Sequence, residues 1–313
     1  MLPSGANKNV TYLLSNTNVA TVNSSGVVTA VKVGTATITV TSVADNNVKS
    51  DCEITVKLPF ENLVNEYQNH YTDFKVDGAG NIISINLPYF ISWDYGTGMI
   101  YGGKNSYKDI QNTIKNNTNF FQNSAWKKTQ SQIQSDINAF GYNDMKNYGI
   151  DCSGFTYFVL NEATKPNNNS LMTDGALYKK FGATYAWGVS AADLTSKANG
   201  IQKTTAQDIV VGCTIRFGST GGHVGFVYKV DKNSSGVVTR IHYAHSNGAV
   251  APAPHGMGFD GTNGPHIAYI VIGNQNEDLD HSSQTWHDRT YTNATAKNLY
   301  EWTILLECLI PYI

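Results

Sequence analysis

One cysteine of the chain stands where a helix is expected to begin. Cys152 follows Asp151, a good N-cap residue, and Phe155, Phe158 and Val159 supply an apolar helix face. A thiol in the first helical turn lies beside unpaired backbone N–H groups and the positive end of the helix dipole, which favour an anion. Such a position can lower a thiol pKa from about 8.5 to roughly 3.5–7.5. The sequence therefore predicts a nucleophilic thiolate at Cys152, and the alternative is a small buried cysteine that packs the helix start.

Two later segments supply histidines in predicted strands. His223 opens the run His-Val-Gly-Phe-Val-Tyr, and the next strand contains both His242 and His245. A thiol at a helix start, a base on a facing strand and a polar group on the following strand form the arrangement of a cysteine peptidase. Side chains alternate along a strand, so His242 and His245 should face opposite sides, and only one of them can orient His223.

Composition excludes several classes of function. Charged residues are only 15% of the 313-residue chain, and its net charge of −2 and pI near 6.4 argue against a nucleic-acid binder. No apolar run approaches the roughly 18 residues of a membrane span. The four cysteines include no CxxC pair and are too sparse for a disulfide scaffold. The later histidines lack compact ligand spacing, so no metal is expected, and residues 278–288 are expected to form a solvated loop.

The chain is long enough for about two domains, and residues 1–57 are predicted to form an all-β one. Short β-branched runs alternate with turns about every ten residues, which is typical of a β-sandwich. The segments Gly26-Val27-Val28-Thr29-Ala30 and Gly34-Thr35-Ala36-Thr37-Ile38 resemble the bacterial immunoglobulin-like domain, group 2. That family normally has one or two strands before the first motif present here. The resemblance therefore implies an incomplete domain and a fragment of a longer surface protein.

The rest of the chain is predicted to be a linker followed by one α+β domain. Residues 58–89 are interpreted as a linker and a hairpin with a turn at 77–81, and residues 90–313 as the second domain. Helical spacing or capping residues predict helices near 110–114, 133–140, 170–181 and 190–198. Strand-like runs follow at 213–217, 223–230, 237–246, 267–272 and 302–310. Helices followed by an antiparallel sheet are typical of the α+β class.

Three motifs of this second domain resemble the NlpC-type cell-wall peptidases, a papain-like family. They are Asp-Cys-Ser-Gly-Phe at 151–155, His-Val-Gly at 223–225 and His-Ser-Asn-Gly at 245–248, and the resemblance spans about residues 90–275. It implies a papain-like fold with Cys152 as nucleophile and His223 as general base.

The same resemblance favours one candidate for the third catalytic residue. The family's strand ends much as this one does at His245, so His245 is preferred and His242 is the alternative. The chain departs from the family at Cys213, where an acidic residue is usual; this removes no catalytic group.

Substrate-binding residues are also implied by the resemblance. Tyr101 precedes two glycines, as does a family tyrosine that lines the pocket for the amino end of the stem peptide. A surface tyrosine in a turn is the alternative. Asp151 and Ser153, which flank the nucleophile, are expected to contact substrate too. The long segment between Cys152 and His223 is expected to reshape the groove.

The implied function is that of a secreted or cell-wall-associated thiol protease that hydrolyses peptidoglycan. The expected bond lies between D-Glu and the following diamino acid of a murein stem peptide. The expected partners are stem peptides, the expected state is a monomer, and no cofactor or metal is needed. Two alternatives stay open: an N-acetylmuramoyl-L-alanine amidase with the same Cys/His chemistry, and a non-catalytic surface module that binds glycan or host protein.

Overall fold

A computed structural model provides the description of the fold. It describes residues 7–69, 89–91, 93–94, 99–100, 104, 106–116, 121–122, 125–126, 129, 131–132, 135, 149–165, 174–182, 188–218, 222–247, 251–253, 257–260 and 264–313. The chain divides into two compact units, Met1–Pro59 with Ile310–Ile313, and Phe60–Leu309. Tyr101, the turn at 77–81 and the apolar positions Ile133, Ile137 and Phe140 lie outside the described residues.

The first unit contains short antiparallel strands, as the alternating β-branched residues predict. The strands are β1 Val10–Leu14, β2 Ala20–Val22, β3 Val28–Ala30, β4 Gly34–Ser42 and β5 Lys49–Val56. β4 pairs with β1 and β5, and β2 pairs with β3. Along β4, Ala36 and Ile38 are buried while Thr35 is exposed, which is the period-2 pattern of a half-buried strand. The prediction of an all-β N-terminal domain is thus confirmed.

The second unit combines helices with small and large sheets. Its helices are α1 Phe60–Asn69, α2 Tyr107–Lys115, α3 Cys152–Ala163, α4 Ala176–Phe181, α5 Ala191–Leu194 and α6 Asn293–Leu299, with 3₁₀ turns at Ala206–Asp208 and Glu307–Tyr312. Its strands are β6 Tyr89–Ile91, β7 Trp93–Asp94, β8 Met99–Ile100, β9 Phe121–Gln122, β10 Ala125–Trp126, β11 Gly200–Lys203, β12 Thr214–Phe217, β13 His223–Lys232, β14 Val238–Ser246, β15 Ala251–Ala253, β16 Met257–Asp260, β17 Pro265–Val271, β18 Thr285–His287 and β19 Tyr300–Leu306. None of the helices in the described part of the chain has the length and apolar character that crossing a bilayer requires.

A seven-stranded antiparallel sheet is the framework of this unit. Its strand order is β11-β19-β12-β13-β14-β17-β18. The register places Phe217 opposite His223, Val227 opposite Tyr243 and His245 opposite His266. Since side chains alternate along each strand, these residues share one face of the sheet. Three histidines from three adjacent strands are therefore brought to one surface.

Helix α3 is buried on all sides rather than along one stripe. Its phenylalanine Phe155 lies against Phe226 of β13, with ring centroids 5.5 Å apart, and against Tyr67 of α1, at 5.3 Å. Phe60 of α1 contacts Phe226 as well, at 6.2 Å. Edge-to-face and tilted aromatic packing of this kind adds to the burial of apolar area. It fixes α3, and hence Cys152, against β13.

Two boundary predictions differ from the structure. The segment interpreted as linker and hairpin begins with helix α1, because Phe60, Val64 and Tyr67 fall on one helical face and are buried. The last strand ends at Leu306, so Cys308 lies in a 3₁₀ turn and not in a buried strand.

Candidate functional site

The start of α3 is held by a buried ion pair. The Asp151 carboxylate accepts a hydrogen bond from the Gly154 N–H at 2.6 Å, as an N-cap does. The Lys104 ammonium lies 2.9 Å from each of the two Asp151 oxygens and also donates to the Ser153 hydroxyl. All three side chains are buried. Asp151 and Ser153, which were expected to contact substrate, are bound in this structure to Lys104 and, for Asp151, to the helix end.

Ile150, two residues before Cys152, contacts three separate segments of the chain. Ile150 forms bridges with Tyr89 and Lys104, and its carbonyl accepts a hydrogen bond from the Ser246 hydroxyl at 2.7 Å. Ser246 is the last residue of β14. The backbone N–H of Val224, at the start of β13, is close enough to the Cys152 sulfur to lower its pKa. The sulfur thus lies beside the residue that immediately follows His223.

The ionisation of Cys152 is opposite to the sequence expectation. Burial first, and then the Asp151 carboxylate, raise the pKa of the Cys152 thiol, and the net value is about 11. Lys104 and the N–H groups of Val224 and Ser153 lower it, but they do not offset desolvation. Cys152 is only 4% exposed, and removing a thiolate from water disfavours the charged form. At neutral pH the group is therefore a thiol and not the predicted thiolate.

His223 and His245 form a direct pair on the sheet. His223 Nε2 lies 2.7 Å from His245 Nδ1, and both rings are buried. Gly222, directly before His223, has a φ of +69°, which favours glycine. A Cβ on Gly225 would lie 3.3 Å from the His245 Cβ, so the absence of a side chain there lets His245 approach. A residue with a side chain would therefore be unfavourable at Gly222 because of its backbone angle, and at Gly225 because of the close approach of His245.

Both rings of this pair are neutral at neutral pH. Burial, followed by the neighbouring His245 and His266, lowers the pKa of His223 well below its usual value. Burial and His266 lower the pKa of His245 to about 4, although Asp288 opposes the shift. A neutral imidazole has one protonated and one unprotonated nitrogen, so each ring can donate once and accept once.

His242 lies on the other face of the sheet. Its Nε2 is 2.8 Å from an Asp231 oxygen, and its ring contacts Tyr228 and Tyr269. This is the alternation that strand geometry requires. Of the two candidates for a third residue, the structure brings His245 to His223 and places His242 away from it.

Asp288 was not predicted as part of the site. It was expected in a solvated loop, but its side chain is fully buried: one oxygen lies 2.8 Å from His245 Nε2 and accepts the Tyr243 hydroxyl at 2.6 Å. Asp288 lies two residues after Trp286, a buried residue of β18, so alternation puts both on one face. That pattern was the available sequence indication, and it spans too few residues to stand out.

His245, His266 and Asp288 form a compact cluster. Their possible ligand atoms all lie within 4.8 Å of one another, and imidazole and carboxylate groups are ligands that Zn²⁺ accepts. In this structure they are hydrogen-bonded to protein groups. His266 Nδ1 is 2.9 Å from the Gly264 carbonyl, and its Nε2 is 2.9 Å from the Thr290 hydroxyl. The sequence spacing did not indicate this cluster, because its members come from three separate segments: His245 from β14, His266 from β17 and Asp288 from the residues after β18.

Two tyrosines lie close enough to Cys152 to interact with it electrostatically. Burial raises the pKa of Tyr89 well above its usual value and that of Tyr291 to about 12, and Cys152 adds to both shifts. Tyr291 accepts a hydrogen bond from the Asn247 amide at 2.6 Å and stacks on His245 at 6.1 Å. Both hydroxyls stay protonated at neutral pH, so they add donors, not charge, around the thiol.

Comparison with known proteins identifies part of the chain. The family described as bacterial Ig-like domain (group 2) matches residues 1–53, in agreement with the β-strands of the first unit. No curated protein and no solved structure matches the chain. Residues 1–53 are therefore a bacterial Ig-like domain of group 2.

Proposed function

We propose that the second unit is a cysteine peptidase that hydrolyses peptidoglycan stem peptides between D-Glu and the following diamino acid. The observation that carries the proposal is the 2.7 Å contact between His223 and His245, on a strand whose next residue, Val224, lies close to the Cys152 thiol. The choice of substrate and bond follows from the resemblance of the three motifs to NlpC-type peptidases. The Ig-like domain supports a location at the bacterial surface.

The chemistry starts from a neutral thiol and a neutral imidazole. His223 removes the proton from Cys152 as the sulfur attacks the amide carbonyl, which gives a tetrahedral oxyanion and an imidazolium. In the proposed mechanism the Cys152 backbone N–H, in the first turn of α3, donates to the oxyanion; one such donor is typically worth about 3 kcal/mol. The imidazolium then protonates the leaving amine, and the thioester forms. His223 next deprotonates a water molecule that hydrolyses the thioester.

A resting ion pair is not required for this mechanism. A general base must be unprotonated at the working pH, and the lowered pKa of His223 keeps it so. The same shift makes His223 a weaker proton acceptor. The cost is that the thiolate forms only during attack, when the developing imidazolium lies close by. The proposed enzyme therefore differs from a thiolate–imidazolium pair of the papain type in its resting state.

A non-catalytic wall-binding module is the second candidate. Two observations favour it: the sulfur is 4% exposed, and the Ig-like domain is suited to attachment. In that case Cys152 would pack the helix start, and the His223–His245 pair would stabilise the sheet.

Digestion of purified cell walls tests both candidates. Wild type, Cys152→Ala and Cys213→Ala are compared by turbidity loss and by mass analysis of released fragments; Cys213 is a matched control because it is buried in the same unit. The proposal predicts a new free amine on the diamino acid with wild type and Cys213→Ala, and none with Cys152→Ala. Free lactyl-linked sugar chains would show an amidase instead. Undigested walls that retain wild type and Cys152→Ala equally would show a binding module.

A further inference from the structure

We propose that Asp288 is a positioning residue of this site, which holds His245 so that the proton of His223 stays on Nε2 and Nδ1 is left free as the base. The proposal deepens the proposed function and rests on it. It adds a fourth residue, distant in sequence, that acts on the nucleophile only through two imidazole rings.

The first step is that Asp288 can only accept hydrogen bonds. Burial alone would raise the pKa of this carboxyl, but His245 and the hydrogen bonds from His245 and Tyr243 hold it well below its usual range. The backbone N–H of Thr290 adds a bond of 2.7 Å to the other oxygen. An ionised carboxylate has no proton to donate. The nitrogen that lies 2.8 Å away, His245 Nε2, must therefore carry the hydrogen.

The second step transfers this constraint to His223. His245 is neutral at neutral pH, so a proton on Nε2 leaves Nδ1 with a lone pair. That Nδ1 lies 2.7 Å from His223 Nε2, and a hydrogen bond between two nitrogens needs one donor and one acceptor. His223 Nε2 must be the donor. The neutral His223 ring then has its lone pair on Nδ1, the nitrogen that must take the thiol proton.

Loss of Asp288 would release both rings from this arrangement. His245 could then carry its proton on Nδ1 and donate to His223 Nε2, which would place the His223 proton on Nδ1. A base protonated at that atom cannot accept a proton from Cys152. An imidazole in the wrong tautomer is a known route to a large loss of rate in a triad.

Asp288 also acts by its charge. It raises the pKa of His223, whereas His245, His266 and Arg216 lower it. The imidazolium that forms during attack is therefore stabilised by a carboxylate one ring away. His266 contributes no proton to this carboxylate when its Nδ1 donates to the Gly264 carbonyl and its Nε2 accepts from the Thr290 hydroxyl.

The tautomers can be read directly from ¹⁵N NMR of histidine-labelled wild-type protein at pH 7. We expect Nε2–H for His223 and His245, and Nδ1–H for His266. Nδ1–H on either His223 or His245 would overturn the proposal. The spectrum is recorded with a chelator present, because a metal ion bound to His245 Nε2 would displace the proton from that nitrogen.

A pair of isosteric variants tests the effect on catalysis. Asp288→Asn is compared with Asp231→Asn, since both aspartates lie 2.8 Å from a histidine Nε2 but Asp231 pairs with His242 on the opposite face. With a soluble stem peptide, Asp288→Asn should lower kcat roughly 10- to 100-fold with KM within about twofold, and should add Nδ1–H signal at His223. Asp231→Asn should change neither.

The failure of this inference is separate from failure of the proposed function. Wild-type kcat and unchanged tautomers in Asp288→Asn would overturn the positioning role even if walls are digested. If wild type digests no wall while its spectrum shows the expected tautomers, the proposed peptidase is wrong, and with it the positioning role. Should Asp288→Asn not fold, the wild-type spectrum alone still decides which nitrogen carries each proton.

Discussion

The ionisation state of the Cys152 sulfur depends on opposing electrostatic effects of its neighbours and on its burial. A helix N-terminus and the nearby Lys104 ammonium favour a thiolate at Cys152, but burial and the Asp151 carboxylate disfavour it more. Because Lys104 and Asp151 form an ion pair, their fields at the sulfur largely oppose each other. Desolvation therefore decides the pKa of Cys152, and a position at a helix start is not sufficient to create a thiolate.

Alkylation by iodoacetamide should reflect this raised pKa. In the native protein, Cys152 should react more slowly at pH 7 than the exposed Cys52, and its rate should rise about tenfold per pH unit towards pH 11, because only the thiolate is nucleophilic. Mass spectrometry of each cysteine-containing peptide measures the rates, with the buried Cys213 as a reference for inaccessibility. Faster labelling of Cys152 than of Cys52 at pH 6 would instead show a resting thiolate.

The start of helix α3 depends on two buried charges that neutralise each other. Lys104 comes from a segment remote in sequence, and Asp151 caps the helix. A buried ion pair adds little net stability, but removing one partner leaves the other charge unpaired. The position of Cys152 should therefore be sensitive to either single substitution and tolerant of replacing both.

A double-mutant cycle checks this coupling. Lys104→Met should lower the free energy of unfolding by about 3–5 kcal/mol, since it leaves the buried Asp151 carboxylate unpaired. Lys104→Met combined with Asp151→Asn should recover most of that loss, because Asn can still cap the helix. Urea unfolding followed by tryptophan fluorescence reports on the second unit alone, since all five tryptophans lie between Trp93 and Trp302. Strictly additive effects would show that the two side chains do not interact.

The buried histidines make the stability of the whole second unit sensitive to acid. The pKa of His245 is about 4 in the folded protein and about 6.5 in an unfolded chain. Between these values the unfolded state binds a proton that the folded state does not, so stability falls as pH falls. Above pH 6.5 both states are neutral and this effect is absent. The shift of His223 has the same direction.

The expected loss of unfolding free energy from His245 alone is about 3 kcal/mol between pH 7 and pH 4. Urea unfolding of the second unit at several pH values should show it. His245→Gln should flatten the dependence relative to wild type, whereas His242→Gln, on the opposite face and paired with Asp231, should leave it unchanged. A wild-type stability that is constant from pH 7 to pH 4.5 would contradict the buried neutral state of His245.

The prediction of local features from residue types was successful where short-range rules apply. Turn glycines and β-branched alternation marked the Ig-like strands, a capping aspartate marked the start of α3, and period-2 alternation separated His242 from His245. Neighbours along the chain set these features through backbone sterics and hydrogen bonding.

The remaining features depend on which segments meet in three dimensions. Lys104 reaches Asp151, and Asp288 reaches His245, across long stretches of sequence. Desolvation is also a property of the folded protein: nothing local to Asp151-Cys152-Ser153 shows that the sulfur will be buried. Proton positions and pKa values in the site are therefore consequences of packing, whereas the strands and helix that carry its residues follow from local patterns.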